Sequence, residues 1–113
     1  MTSGDAGDGR FDRIEDAIEA IRRGEIVVVT DDQDRENEGD LTMAAQCVTA
    51  ETINFMAKHG RGLICLPMTG DRLSTLDFRP MVDNNADKLK TAYTVSIDAR
   101  EGTSTGISAP DRD

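Results

Sequence analysis

The sequence predicts a small α/β (α+β) layer fold, and three observations carry that prediction. Phe11, Ile14, Ala17, Ile18 and Ile21 recur at helical spacing over residues 11–23. Two short runs, EIVVVT at 25–30 and GLICL at 62–66, are almost continuously apolar, as buried strands are. Helix-like and strand-like segments are mixed along the chain, which calls for helices layered on a sheet.

Taken in order, residues 1–10 read as a flexible N-terminal tail, small and polar with no apolar anchor. The helix predicted over 11–23 carries Arg22 and Arg23 in its last turn, where cations suit the dipole, and Gly24 caps it. A buried strand follows over 25–30 and ends abruptly in the acidic run DDQDRENEGD, residues 31–40. Leu41 to Ala45 reads as a second strand. Thr49 is placed to cap a helix over 50–59 that turns Ile53, Met56 and Ala57 inward and stops at Gly60. The strand at 62–66 is stopped by Pro67, a short helix covers 70–76, residues 77–91 form a long loop, and 92–98 alternate as a further strand. Ser108-Ala109-Pro110-Asp111 has the form of a helix start: a hydroxyl cap, a proline in the first turn, then an acid. A sequence that closes on a helix start is expected to be a fragment of a longer domain.

The composition narrows the function classes. The chain has 113 residues, 22 acids, 13 bases and one histidine, for a net charge of −9. Its length suits one domain that buries roughly two-thirds of its unfolded surface. Residues 1–40 hold 13 acids and 5 bases, whereas residues 41–113 hold 9 and 8. No basic cluster exceeds Arg22-Arg23, which argues against a nucleic-acid partner. No apolar run approaches the ~20 residues of a membrane span, and the polar N-terminus is no secretory signal, so a cytoplasmic protein is expected. Cys47 and Cys65 make neither a disulfide framework nor a CxxC site. One histidine without a cysteine cluster excludes a structural zinc site built from this chain alone.

The acidic run is the main chemical signal. Asp31, Asp32, Asp34, Glu36, Glu38 and Asp40 surround a single Arg35 directly after a strand. Their mutual repulsion calls for neutralisation. Hard divalent cations take oxygen ligands, and Mg²⁺ binds one or two carboxylates together with water and substrate oxygens. Arg35 offers a fork suited to phosphate or carboxylate. A calcium EF-hand fails on spacing: starting at Asp34 puts Gly39 correctly but leaves Ala45 where the loop needs Glu. A plain solvated acidic loop is the competing reading.

The string DDQDRENEGDL resembles the signature of the 3,4-dihydroxy-2-butanone 4-phosphate synthase family of riboflavin biosynthesis, whose usual form has Glu where Gln33 stands. HGRGLICLPM at 59–68, DRL at 71–73, MVDNN at 81–85 and TGISAPDR at 105–112 match the same family in order. The resemblance covers residues 11–113. It implies a layered α-β-α sandwich with a mixed sheet, here truncated to its N-terminal portion. It also implies conversion of ribulose 5-phosphate to the butanone phosphate plus formate, with Mg²⁺ (or Mn²⁺), in a homodimer with interface active sites. Many members carry a fused GTP cyclohydrolase II domain.

By the same resemblance, Glu36, Asp40 and Cys65 are the candidate catalytic residues. Arg35, Glu36, Asp40 and Thr105 are candidate substrate-binding residues, and Glu36 a metal ligand. Asp31, Asp32, Asp34 and Glu38 belong to the same loop. The reaction requires enolisation beside a carbonyl, loss of water, a skeletal rearrangement and release of formate. Metal charge, a proton-shuttling carboxylate and an orienting arginine suit those steps. The family's later half contributes a catalytic His, a metal-binding His in an Arg-x-Gly-His-Thr stretch, and a catalytic Glu, none of which occurs here. The isolated chain is therefore expected to be inactive or nearly so.

The remaining residues have plainer readings. His59 is a helix-terminal histidine, and Cys47 is structural. Cys65 suits a core strand as well as a substrate-facing position. Ser104, Thr105 and Ser108 suit either a phosphate cradle or turn and cap duty. Arg100 and Arg112 read as surface charges. The alternative to the enzyme is a non-catalytic acidic module that binds a divalent cation or a basic partner.

Overall fold

The computed structural model describes residues 11–86, 88–89 and 91–113; the predicted tail, residues 1–10, lies outside the described residues. Helix α1 runs Ile14–Arg22 and strands β1 and β2 run Val27–Thr30 and Gly39–Thr42. A 3₁₀ turn at Ala45–Cys47 leads into α2, Ala50–Phe55, which widens into a π turn at Met56–Gly60. Helix α3 is Gly70–Thr75 and α4 is Ala109–Arg112. Helices with a small antiparallel sheet make the fold α+β.

Each element follows from local chemistry. Helix α1 has Glu15 and Asp16 in its first turn and Arg22 in its last, matching the dipole at both ends. Arg22 adds a 3.1 Å ion pair with Glu19 one turn earlier. The helix stops because Gly24 takes φ +79 and returns its N–H to the Ile21 carbonyl at 3.0 Å. A side chain at Gly24 would also meet Cys47, 3.2 Å from its Cβ. Helix α2 opens with a reciprocal cap: Thr49 Oγ1 accepts from the Thr52 N–H, and Thr52 Oγ1 accepts from the Thr49 N–H at 2.8 Å. Ile53, 4 % exposed, is the buried hydrophobe among the described residues, and α4 packs on α2 beside it. The Phe55 and His59 rings lie 4.6 Å apart across the π turn. His59 is thus terminal to the helix, as expected, and Arg61 closes the turn at φ +62.

Several expectations are corrected. The first helix begins at Ile14 and not at 11, and its apolar stripe is uncovered: Ile14 and Ile18 are exposed. The strand expected to be buried at 25–30 forms over Val27–Thr30, yet Val28 is 65 % exposed. The second strand slides from 41–45 to 39–42, because its pairing is set by the hairpin, Thr30↔Gly39 through Val27↔Thr42. Residues 62–66 form no strand, and Leu63 and Leu66 are exposed. An apolar run becomes a strand only beside a neighbour that satisfies its N–H and C=O groups, and none is paired with it among the described residues. The strand expected at 92–98 is reduced to one antiparallel bridge, Pro80↔Thr94, flanked by the Met81 N–H on the Tyr93 carbonyl and the Val95 N–H on the Arg79 carbonyl; the Tyr93 N–H that would extend the ladder turns back to the Thr91 carbonyl instead. That bridge also gives part of the 77–91 loop a partner. The sheet among the described residues is a single antiparallel pair, β1-β2, and not mixed.

The reciprocal cap makes a prediction. Thr49→Ala and Thr52→Ala should each cost about 1 kcal/mol in urea unfolding. The double variant should cost less than their sum, because both substitutions break one shared pair. Strict additivity would contradict the reciprocal geometry.

Candidate active site

The acidic run is the loop of the β1–β2 hairpin, residues 31–38, with Asp40 in the following strand opposite Val29. One carboxylate organises it. Asp31 Oδ2 accepts from the Arg35 guanidinium at 3.0 Å and from the Glu36 N–H at 3.0 Å, while Oδ1 accepts from the Glu38 N–H at 2.9 Å. The loop base is closed by the Asp31 N–H on the Glu38 carbonyl. Inside it the Asp32 carbonyl accepts from the N–H groups of Arg35 and Asn37, and Asn37 bends the chain at φ +53. Asn tolerates that left-handed conformation better than most residues do.

Arg35 is the hub of the charges. It reaches Asp31 with one nitrogen and the Glu36 carboxylate with the other, at 3.1 Å. Its pKa is raised, first by the Asp31 hydrogen bond, then by Glu36, with Asp40 contributing. The Asp31 carboxyl is held below its ordinary 3.8, chiefly by the Glu38 N–H and also by the Glu36 N–H and Arg35. The repulsion expected of this cluster is therefore relieved in part from within the loop.

Among the described residues, no three His, Cys, Asp or Glu side chains converge to enclose a metal ion. Magnesium does not require that, because it keeps several waters and takes one or two carboxylates with substrate oxygens. Glu36 and Asp40 are exposed carboxylates that fit this demand. Asp31 does not, because both of its oxygens are already engaged. Asp32, Asp34 and Glu38 are exposed, and their side chains hold nothing in the loop together.

The other two candidates stand outside the hairpin. Cys65 lies in the extended, exposed segment after the π turn, its thiol 3.8 Å from the Leu63 carbonyl. Thr105 lies on a bend before α4, also exposed. Among the described residues no hydrogen bond or ion pair joins either one to the acidic loop. Sequence reasoning missed Asp111 as an organising group. Its carboxylate accepts from the Ser104 N–H and hydroxyl and from the Gly106 N–H. The spacing Ser108-x-x-Asp111 signals only the helix cap, in which the Asp111 N–H donates to Ser108 Oγ; it does not signal that the carboxylate turns back to Ser104 and Gly106. Arg112, expected as a plain surface charge, donates to the Ile107 carbonyl at 2.7 Å.

Because the folded-state pKa of Asp31 is lowered, its contribution to hairpin order is fully present above the unfolded value and is lost as pH falls through the lowered one. Carboxyl NMR should therefore show Asp31 titrating below 3.8, with the Glu36 and Glu38 amide signals moving along the same curve. A midpoint at or above that value would contradict the three-donor geometry.

The hairpin and the bend lie within a stretch shared with known proteins. Residues 15–113 match the family described as 3,4-dihydroxy-2-butanone 4-phosphate synthase. The Agrobacterium fabrum protein named 3,4-dihydroxy-2-butanone 4-phosphate synthase is 58% identical over 100 residues, covering 88% of this chain and 47% of that protein. The Aquifex aeolicus riboflavin biosynthesis protein RibBA is 59% identical over 105 residues, covering 91% of this chain and 26% of that one. A crystal structure of 3,4-dihydroxy-2-butanone 4-phosphate synthase in complex with two magnesium ions superposes with a TM-score of 0.87 at 55% identity, over 90% of this chain and 48% of that one. The chain thus spans about half the length, or less, of the relatives it matches. With its acidic hairpin and its TGISAPDR bend inside the matched region, this chain belongs to the 3,4-dihydroxy-2-butanone 4-phosphate synthase family.

Proposed function

We propose that this chain supplies the acidic hairpin of an enzyme that converts D-ribulose 5-phosphate to 3,4-dihydroxy-2-butanone 4-phosphate and formate, a lyase step of riboflavin biosynthesis. The observation that carries the reading is the arrangement of Arg35 and Glu36, adjacent, exposed and braced by Asp31. Arg35 is suited to hold the phosphate and orient the sugar. Glu36 is the metal ligand and proton-shuttling carboxylate, with Asp40 the second acid on the substrate. Cys65 and Thr105 complete the substrate contacts once the site is assembled.

Glu36 would hold a divalent cation, Mg²⁺ or Mn²⁺, which would supply charge stabilisation for an oxyanion developing beside the substrate carbonyl. The crystal structure holding two magnesium ions, at 55% identity, supports the choice of magnesium. A homodimer with interface sites is supported by the uncovered apolar faces of α1 and β1, where Ile14, Ile18, Val28 and Val29 are exposed. The similarity to RibBA leaves room for a fused GTP cyclohydrolase II domain in a longer parent. Free thiols at Cys47 and Cys65 agree with a cytoplasmic setting. Neither nucleic acid nor membrane is proposed as a partner, and among the described residues no helix is long and apolar enough to cross a membrane.

Titrating the protein with ribulose 5-phosphate tests this reading. Binding should tighten with Mg²⁺, and Glu36→Ala should abolish the dependence on metal. Cation binding that ignores the sugar phosphate, with no single acid dominant, would favour the acidic binding module instead. Formate assays should show no turnover by the 113-residue chain alone. EDTA-sensitive formate release at a normal rate by that chain would overturn the expectation that it is incomplete.

A further inference from the structure

We propose that Asp111 is a positioning residue whose carboxylate gathers the chain on both sides of Thr105 and presents Thr105 to the sugar phosphate. The inference rests on the function proposed above and names a residue to which that reading gives no role. Ser104 donates its N–H at 2.9 Å and its hydroxyl at 2.7 Å, and Gly106 donates its N–H at 3.0 Å. These donors flank Thr105 directly, so the backbone bends around one anion and Thr105 stands at the bend. Thr105 is exposed, and among the described residues it makes no hydrogen bond within the chain. It therefore offers a hydroxyl and a backbone N–H, the groups that suit a hydroxyl or phosphate oxygen.

The anchor is itself fixed. Ser108 Oγ accepts from the Asp111 N–H at 3.2 Å, and Arg112 Nε ties down the Ile107 carbonyl. The carboxylate of Asp113 accepts from the Ala50 N–H at 3.2 Å, joining α4 to the start of α2. The bend also requires glycine at 106, where φ is +82 and the Asp98 carboxylate occupies the space a Cβ would need. The Asp111 carboxyl is lowered to about 2, first by the Ser104 N–H, so the anchor is ionised throughout the neutral range.

The test uses the native full-length protein with Mg²⁺. Asp111→Asn should raise the KM for ribulose 5-phosphate about tenfold and change kcat by less than about threefold, the pattern of lost uniform binding. Thr105→Ala should raise the KM in the same way, and the double variant should be no worse than Asp111→Asn alone, because Asp111 acts through Thr105. Additive effects, or an unchanged KM in Asp111→Asn, would overturn the proposal. If that variant fails to fold, Ser104→Ala removes one hydroxyl donor alone and should raise KM about threefold; an unchanged KM there counts equally against it. A wild type that neither binds nor converts ribulose 5-phosphate refutes the proposed function. A wild type that does, with Asp111→Asn or Ser104→Ala indistinguishable from it, refutes only the role of Asp111.

Discussion

Like-charge repulsion is the constraint around which the hairpin is built. Asp31, Asp32, Asp34, Glu36 and Glu38 share one short loop, and a loop of that charge splays unless something draws it in. The chain answers by sacrificing one carboxylate. Asp31 turns toward the loop interior and takes up two backbone N–H groups and the guanidinium of Arg35. Glu36 pairs with the other arm of Arg35, and Asp32, Asp34 and Glu38 are left facing solvent. The same device recurs at the bend before α4, where Asp111 collects the donors of Ser104 and Gly106. Both loops thus owe their shape to an inward carboxylate rather than to apolar packing.

That division fits how little apolar packing there is. Ile53 is the buried hydrophobe among the described residues, although hydrophobic residues make up 37% of the chain. Exposed apolar side chains cluster on α1, on β1 and along the extended segment at 62–66. Faces of this kind on a family member that spans about half the length of its relatives are the physical counterpart of the proposed dimer and longer parent. A site that depends on local polar ties keeps its local shape even where the surrounding faces are uncovered.

Local signals in the sequence translated well, and non-local ones did not. The Thr49 cap, the Gly24 stop and the Ser108 helix start each rest on a few neighbouring residues, and each is found in the structure. The acidic loop was legible as a unit because strand, charge run and glycine follow one another directly. Strands at 62–66 and 92–98 were not, because apolar character states only that a segment suits a sheet, and the neighbour that makes it one lies elsewhere. The slide of β2 to Gly39–Thr42 has the same origin, since register belongs to the pair and not to either strand. Within the site, Arg35 and Glu36 were readable from residue type. The separate duty of Asp31 was not, because six similar carboxylates look alike until backbone geometry shows which one points inward.

The hairpin also sets an order of events. Its strands are joined by the loop they need, so its closure spans only a short stretch of chain and belongs to the microsecond regime of hairpin formation. The tie from Asp113 to Ala50 closes across 63 residues and must wait until residue 113 has emerged. During synthesis, which proceeds from the N-terminus, the acidic loop therefore acquires its shape while the bend bearing Thr105 has yet to be made. The acidic loop and the Thr105 bend thus take shape at different times, the acidic loop first.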